Sequence, residues 1–132
     1  MAEREEFAEV LLFSDDSATR AAIKGAVGRR AAKDVPQIRW DETATAAAVL
    51  GKLDEKKYDL LILDGEASKE GGMSVSRTLH EEVFDVPPTI ILIARQQDAW
   101  LADWSLAEAC IPAPFDPRET QETVARLLRA ER

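Results

Sequence analysis

Residues 58–66, YDLLILDGE, set the fold class of this chain, because four apolar residues at 60–63 run without a break into Asp64 and Gly65. A short uninterrupted apolar run of this kind is typical of a strand buried on both faces of a sheet. A carboxylate is costly to bury without a partner, so Asp64 needs a structural reason for its place at the strand end. Asp-Gly is a common turn pair, and that interpretation stands beside a functional one.

Segments with strand and helix patterns alternate along the rest of the chain. Apolar or alternating runs predict strands at 9–13, 36–40, 58–63, 89–94 and 110–115. Apolar residues at helical spacing predict helices within 17–30, 42–57, 71–84, 98–109 and 116–132. The last helix begins with Asp116 and Pro117, a typical capping sequence. Five β–α units in strict alternation predict an α/β domain with one parallel sheet and helices on both faces.

The composition excludes several classes of protein. The chain has 132 residues, 25 acidic and 17 basic, and its net charge of −8 disfavours binding to nucleic acids and anionic membranes. The only cysteine is Cys110 and the only histidine is His80, which excludes an intramolecular disulfide and a Cys/His metal site. His80 lies in a polar helical stretch and is predicted at the surface. Without a membrane-length apolar segment or a signal-peptide pattern, the chain is predicted to be cytoplasmic.

Acidic residues follow two of the predicted strands. Ser14, Asp15 and Asp16 come after the first strand, and Asp64 ends the third. In open α/β sheets, ligands bind at the carboxyl ends of the strands, where these side chains would meet. Carboxylates brought together repel one another unless a cation lies between them, and Mg²⁺ prefers such oxygen ligands. Asp64 is therefore predicted to be a nucleophile or a metal ligand in a shallow acidic pocket.

Several motifs resemble those of the receiver domains of two-component response regulators, over roughly residues 8–130. VLLFSDDSATR at 10–20 resembles the family's first strand and acid pair. YDLLILD at 58–64 resembles the strand that carries the phospho-accepting aspartate. Gly72 falls where the family keeps a glycine, and APFDPRE at 113–119 resembles its Lys-Pro-Phe-Asp-Pro ending.

The resemblance implies a flavodoxin-like (βα)5 doubly wound parallel sheet with strand order 2-1-3-4-5. It also implies one receiver-like domain over residues 1–132, without an output domain, and a cis peptide bond between Ala113 and Pro114. Asp64 would accept a phosphoryl group from a histidine kinase, while Mg²⁺ neutralises the developing charge. The implied metal ligands are Asp15 and Asp64, with Asp16 as a further candidate.

The acid pair departs from the family pattern. When Arg20 is aligned with the arginine that the family carries in its first helix, Ser14 takes the place of the first acid and Asp15 that of the second. A shift by one residue would restore both acids as Asp15 and Asp16, but it would misplace the helix. In the first alignment the pocket keeps only two firm carboxylates, so Mg²⁺ binding is expected to be weak.

The positions that transmit phosphorylation in receivers are also altered. The hydroxyl residue at the end of the fourth strand corresponds to Ile93, and its neighbour Ala94 has no hydroxyl either. Ala113 replaces the family's lysine, and Cys110 replaces its switch aromatic. A conformational switch requires contacts that differ between its two states, and here most of them are missing. Arg95 is a candidate for a substitute positive charge.

The sequence therefore favours an atypical receiver that acts mainly as a protein-interaction module, with weak or no phosphorylation. The alternative is a working phosphoryl-accepting receiver in a phosphorelay. A lesser alternative is an unrelated flavodoxin-like enzyme or nucleotide binder, although no glycine-rich phosphate loop follows the first strand. No residues of a turnover enzyme are predicted.

Trp100 and Trp104 lie four residues apart and share a helical face. One interpretation is that this face packs on the sheet. The other is that it binds a protein, since tryptophan is enriched at binding hot spots and this region carries partners and dimer contacts in receivers. The expected partners are proteins, among them a histidine kinase or a second copy of the chain.

Overall fold

The computed structural model describes residues 7–66, 72–82 and 85–131. Strands and helices alternate through these ranges as predicted. The strands are β1 (Phe7–Phe13), β2 (Gln37–Thr43), β3 (Leu60–Asp64), β4 (Thr89–Ile93) and β5 (Ala109–Pro112). The helices are α1 (Ser17–Val27), α2 (Ala46–Glu55), α3 (Gly72–Glu82), α4 (Trp100–Trp104) and α5 (Pro117–Glu131).

The strands form one parallel sheet with the order β2-β1-β3-β4-β5, which confirms the predicted topology. β3 lies at the centre, with Ile62 in register with Leu12 on one side and Ile90 on the other. Asp64, its last residue, is in register with Leu92. The carboxyl ends of β1 and β3 therefore meet at one edge of the sheet, as the acidic residues after these strands require.

Alternate residues of β3 contribute to two separate hydrophobic cores. Leu60 and Ile62 join the cluster that packs against α1 and α5. Leu61 and Leu63 join the cluster that packs against α2 and α3. All five residues of β3 are buried, which explains why the strand reads as a continuous apolar run instead of an alternating one.

Both strand and helix boundaries differ from the prediction, and β2 continues to Thr43, into the segment predicted as the second helix. α1 ends earlier than predicted because Gly28 adopts a positive φ of 79° and its N–H donates to Lys24 O at 2.8 Å. α4 covers less than half of the predicted 98–109, because the backbone leaves the helix at Leu106, where φ is 68°. Positions 71, 83, 84 and 132 of the predicted helices lie outside the described residues. None of the helices in the described ranges is long and apolar enough to span a bilayer.

A polar network ties the amino end of β3 to the β2 edge. The Tyr58 hydroxyl donates to Asp41 Oδ2 at 2.5 Å, and Lys56 Nζ lies 3.2 Å from the same oxygen. Lys56 also contacts Glu9 on β1 at 3.0 Å. The hydrogen bond from Tyr58, followed by the interactions with Lys56, lowers the pKa of Asp41. Burial raises the pKa of Tyr58, and its bond to Asp41 adds to that rise.

Replacing Asp41 by alanine is expected to lower the free energy of unfolding at neutral pH by about 1–3 kcal/mol, since hydrogen bonds to charged groups contribute about that much. Because folding lowers the pKa of Asp41, its contribution is present above the pKa of the unfolded chain. It is lost as the pH falls through the folded-state value. Urea unfolding of both proteins from pH 7 downward should show the difference shrinking in acid. Asp54→Ala, at an exposed position of α2, is the matched control, and an equal loss there would contradict the prediction.

Candidate functional site

A shallow cavity of about 310 Å³ opens at the carboxyl edge of the sheet, where the predicted acidic residues meet. Its walls come from the ends of β1, β3, β4 and β5 and from the start of α1. Asp15 and Asp64 both line it, which confirms that they lie at the same edge. The lining residues are Asp15, Asp16, Thr19, Asp64, Glu66, Leu92, Ile93, Ala94, Ala113 and Phe115.

Asp64 is buried, with 6% of its surface exposed, and both carboxylate oxygens are hydrogen-bonded. Oδ1 accepts from the Glu66 N–H at 2.8 Å, and Oδ2 accepts from the Ser14 hydroxyl at 2.7 Å. The Gly65 N–H donates to Leu92 O at 2.9 Å and continues the β3–β4 pairing past the strand. Asp64 therefore both begins a turn and lines the cavity, as the two interpretations of the sequence predicted. Each of its carboxylate oxygens accepts a hydrogen bond from an uncharged donor.

Ser14 is the residue that meets Asp64 across the sheet, and it is completely buried. Its N–H donates to Thr43 O at 3.1 Å, and its carbonyl accepts from Arg20 Nη1 at 2.6 Å. Its hydroxyl oxygen also accepts the Asp16 N–H at 3.1 Å. The alignment through Arg20 predicted Ser14 at the first acid position, and the structure shows that its hydroxyl contacts Asp64.

Asp16 caps the amino end of α1. Its Oδ1 accepts from the Ala18 N–H at 2.9 Å and its Oδ2 from the Thr19 hydroxyl at 3.3 Å. Such a cap satisfies the unpaired N–H groups of the first helical turn. Asp16 therefore lines the cavity while its carboxylate already has two local partners, a role that the sequence analysis did not assign to it.

Two of the candidate Mg²⁺ ligands, Asp64 and Asp16, already accept hydrogen bonds from the protein. Among the described residues, no three acidic, histidine or cysteine side chains form a group suited to a metal ion. Both oxygens of Asp64 accept hydrogen bonds from uncharged donors, and Asp16 serves as the helix cap. Mg²⁺ usually binds through one or two carboxylates and keeps several waters, and here it would share the Asp64 oxygens with these hydrogen bonds.

The altered positions of strands β4 and β5 surround the same cavity. Ile93 is buried, and Ala94 and Ala113 are exposed on the cavity wall. None of the described residues that line the cavity is a lysine or an arginine. Arg95 does not line the cavity, and its guanidinium pairs with Asp98 through Nε and Nη2, each at 3.1 Å.

β5 carries two further features predicted from the sequence. The Ala113–Pro114 peptide bond is cis, as predicted. Cys110 is half-buried and packs against the core shared with α2 and α3. Burial, followed by the charges of Asp103 and Glu119, raises the pKa of the Cys110 thiol. Cys110 is therefore a partly buried thiol held in its neutral form.

The two tryptophans of α4 face solvent instead of packing on the sheet. Trp100 is 64% exposed and Trp104 is 46% exposed. The Arg77 guanidinium on α3 lies 5.1 Å from the centre of the Trp104 ring, and Arg77 Nη1 donates to Trp104 O at 2.6 Å. Ser76 Oγ donates at 2.8 Å to Ser105 O, the carbonyl that follows Trp104 O after the end of α4.

The sequence did not predict the contacts of Ser76 and Arg77, because the spacing of residues along one helix does not show which carbonyls of another helix their side chains reach. His80, predicted at the surface, is instead half-buried, with Nδ1 only 2.8 Å from Ser76 O. Ser76 and Arg77 form a polar contact between α3 and the end of α4, whereas His80 bonds to Ser76 within α3.

No family model matches the chain. Two curated proteins, from two strains of Mycobacterium tuberculosis, are each 42% identical to it over 121 residues, covering 92% of this chain and 91% of theirs. Both are named uncharacterized response regulatory proteins.

Solved structures show the same fold. A Francisella response regulator receiver domain has a TM-score of 0.78 at 20% identity, with 95% of this chain and 99% of that chain covered. A two-component response regulator from Clostridium difficile has a TM-score of 0.74 at 19% identity, with 92% and 96% covered. The parallel order β2-β1-β3-β4-β5, the acidic cavity at its carboxyl edge and the 42% identity to curated relatives lead to one conclusion: the chain belongs to the response regulators, as a receiver domain of that family.

Proposed function

We propose that this chain is an atypical receiver that works mainly by binding protein partners, and that Asp64 is phosphorylated weakly or not at all. The observation that carries this proposal is the arrangement around Asp64. Its two oxygens are held by the Ser14 hydroxyl and the Glu66 N–H. The cavity wall facing it presents the aliphatic side chains of Ile93, Ala94 and Ala113.

Electrostatics support weak phosphorylation. A phosphoryl group adds about −1.5 to −2 charges, and its transfer depends on positive groups that stabilise the developing charge. The described lining residues instead contribute four carboxylates, and the nearby guanidinium of Arg95 is paired with Asp98. A phosphoryl group on Asp64 would meet like charges from Asp15 and Asp16. Mg²⁺ could offset part of this repulsion, and we propose that its binding here is weak.

The contact between α3 and α4 supports a binding surface that does not depend on Asp64. Arg77 and Ser76 hold the last carbonyls of α4 through bonds that involve no residue of the cavity. A ligand or modification shifts an equilibrium only through contacts that differ between the two states. Since the usual hydroxyl, lysine and aromatic are replaced at Ile93, Ala113 and Cys110, phosphorylation would have few such contacts to change.

A working phosphoacceptor is the second candidate, and one observation favours it. Asp15 and Asp64 line one open cavity at the carboxyl edge of the sheet, where a phosphodonor could approach. Family membership sets aside an unrelated enzyme or nucleotide binder. Under either candidate we propose protein partners in the cytoplasm, a histidine kinase or a second copy of the chain among them. The net charge of −8 disfavours nucleic acids and anionic membranes.

Partner affinity is expected to be unchanged in Asp64→Ala and Asp64→Asn. The tagged native protein would be used to capture a partner from a lysate of the source organism, and the dissociation constant of each purified variant would then be measured. We expect the three values to agree within about twofold, which corresponds to less than about 0.5 kcal/mol.

The matched measurement repeats the titration after treating the native protein with a small-molecule phosphodonor, with mass spectrometry to quantify the modification. Asp64→Asn serves as the unmodifiable control, because it keeps the size of the side chain. If the phosphodonor strengthens binding of the native protein alone, and Asp64→Ala abolishes binding while the fold persists, the protein is a phosphorylation-dependent switch.

A further inference from the structure

We propose that Ser14 is a positioning residue that takes the place of a divalent cation at Asp64. The Ser14 hydroxyl donates to Asp64 Oδ2 at 2.7 Å, and both side chains are buried. The inference rests on the proposed function only in treating Asp64 as the central residue of the site. The Ser14 hydroxyl would hold the Asp64 carboxylate in one orientation without a metal ion.

The position of the Ser14 hydroxyl is determined by its surroundings. The backbone of Ser14 is held on both sides, by Thr43 O and by the Arg20 guanidinium. Its hydroxyl oxygen accepts the Asp16 N–H at 3.1 Å, so the hydroxyl proton is the group available for Asp64. A serine hydroxyl has one proton to donate and two lone pairs to accept. The bond to Asp64 therefore has a defined donor and a fixed direction.

A carboxylate at position 14 would create the opposite situation. Two buried carboxylates in contact cannot both remain charged without a cation or a proton between them. Serine at this position replaces the second negative charge with a neutral donor. With the Glu66 N–H on Oδ1 at 2.8 Å, both oxygens of Asp64 are then satisfied by the protein itself. Since Ser14 adds no negative charge to attract a cation and already donates to Oδ2, the native protein should gain little stability from Mg²⁺.

The test compares thermal unfolding of the native protein and of Ser14→Asp, with and without MgCl₂. We expect the unfolding midpoint of the native protein to differ by no more than about 1 °C between the two conditions. Without Mg²⁺, the midpoint of Ser14→Asp should lie about 5 °C or more below that of the native protein. Added Mg²⁺ should restore most of that loss, because a ligand that binds only the folded state stabilises it. By titration, Ser14→Asp should bind Mg²⁺ about tenfold more tightly than the native protein, or better.

Two variants separate charge from size. Ser14→Asn introduces a side chain of almost the same volume as aspartate without the charge, and its midpoint should not respond to Mg²⁺. Adding Asp64→Asn to Ser14→Asp removes the second carboxylate and should abolish the response as well. NaCl at matched ionic strength controls for general screening. A native protein that responds to Mg²⁺ as strongly as Ser14→Asp, or a Ser14→Asp protein that is equally stable without Mg²⁺, would overturn the proposal.

A second measurement needs no substitution that could prevent folding. The Glu66 amide donates to Asp64 Oδ1, so its NMR signal reports on the carboxylate. At MgCl₂ concentrations that saturate Ser14→Asp, this signal should stay close to its starting position in the native protein, and a shift that saturates in that range would refute the proposal. Failure of this inference is distinguishable from failure of the proposed function, because partner affinity in the Asp64 variants is measured without varying the metal.

Discussion

Replacing Trp100 and Trp104 together by alanine is expected to weaken partner binding by about 30-fold or more, which corresponds to the roughly 2 kcal/mol typical of hot-spot residues. Trp100 is 64% exposed and Trp104 46%, so the midpoint of thermal unfolding should change little. Arg77 holds the Trp104 ring and carbonyl in place, which lowers the entropy that a partner must remove on binding. Calorimetric titration of the partner into each purified variant provides the measurement.

Leu50→Ala is the matched control for this experiment. Leu50 is another large exposed apolar side chain, 45% accessible, but it lies on α2 beside Val75 and Thr78 of α3. Its removal should leave the affinity unchanged. If Leu50→Ala weakened binding and the tryptophan variant did not, the partner would dock on the α2–α3 face and the assignment of the α4 surface would be wrong.

Ile62→Ala is expected to cost about 3–5 kcal/mol of folding stability. Ile62 is fully buried at the centre of β3 and packs in the core shared by α1 and α5. Removing three carbons from such a position loses the transfer free energy of the side chain and leaves a cavity. Because small domains are stable by only about 5–15 kcal/mol, this single change removes a large part of the total.

Denaturant unfolding followed by tryptophan fluorescence and by circular dichroism measures this loss. Leu50→Ala again supplies the exposed counterpart and should cost less than about 0.5 kcal/mol. A loss below about 1 kcal/mol for Ile62→Ala would mean that the core around β3 relaxes to fill the space, in conflict with a rigid central strand.

Local patterns were sufficient to predict a parallel sheet, whereas its strand order followed from the family resemblance. The uninterrupted run at 60–63 indicated a strand covered on both faces, and the alternation of strands and helices indicated parallel pairing. Asp15 and Asp64 could be placed at one edge because parallel strands align their carboxyl ends there. Each of these inferences depends on periodicity or chain direction, which the sequence carries explicitly.

Contacts between distant segments were harder to predict. Ser14 could be aligned with an acid position, but its hydrogen bond to Asp64 depends on the register between β1 and β3. The direction of Arg95 was decided by Asp98, three residues away, which competes with the cavity for the same guanidinium. The orientation of Trp104 depends on Arg77 of another helix. In each case the deciding partner is one of several that the sequence permits.

β3 and α4 should differ in how readily their backbone amides become accessible to solvent. β3 is buried along its whole length between β1 and β4, so its amides should exchange with solvent only when the whole domain unfolds. α4 is a single short helix held largely by side-chain bonds from α3, and its amides can exchange through a local opening. The tryptophan surface should therefore be able to open while β3 and Asp64 stay folded, whereas Asp64 loses its place only when the whole domain unfolds.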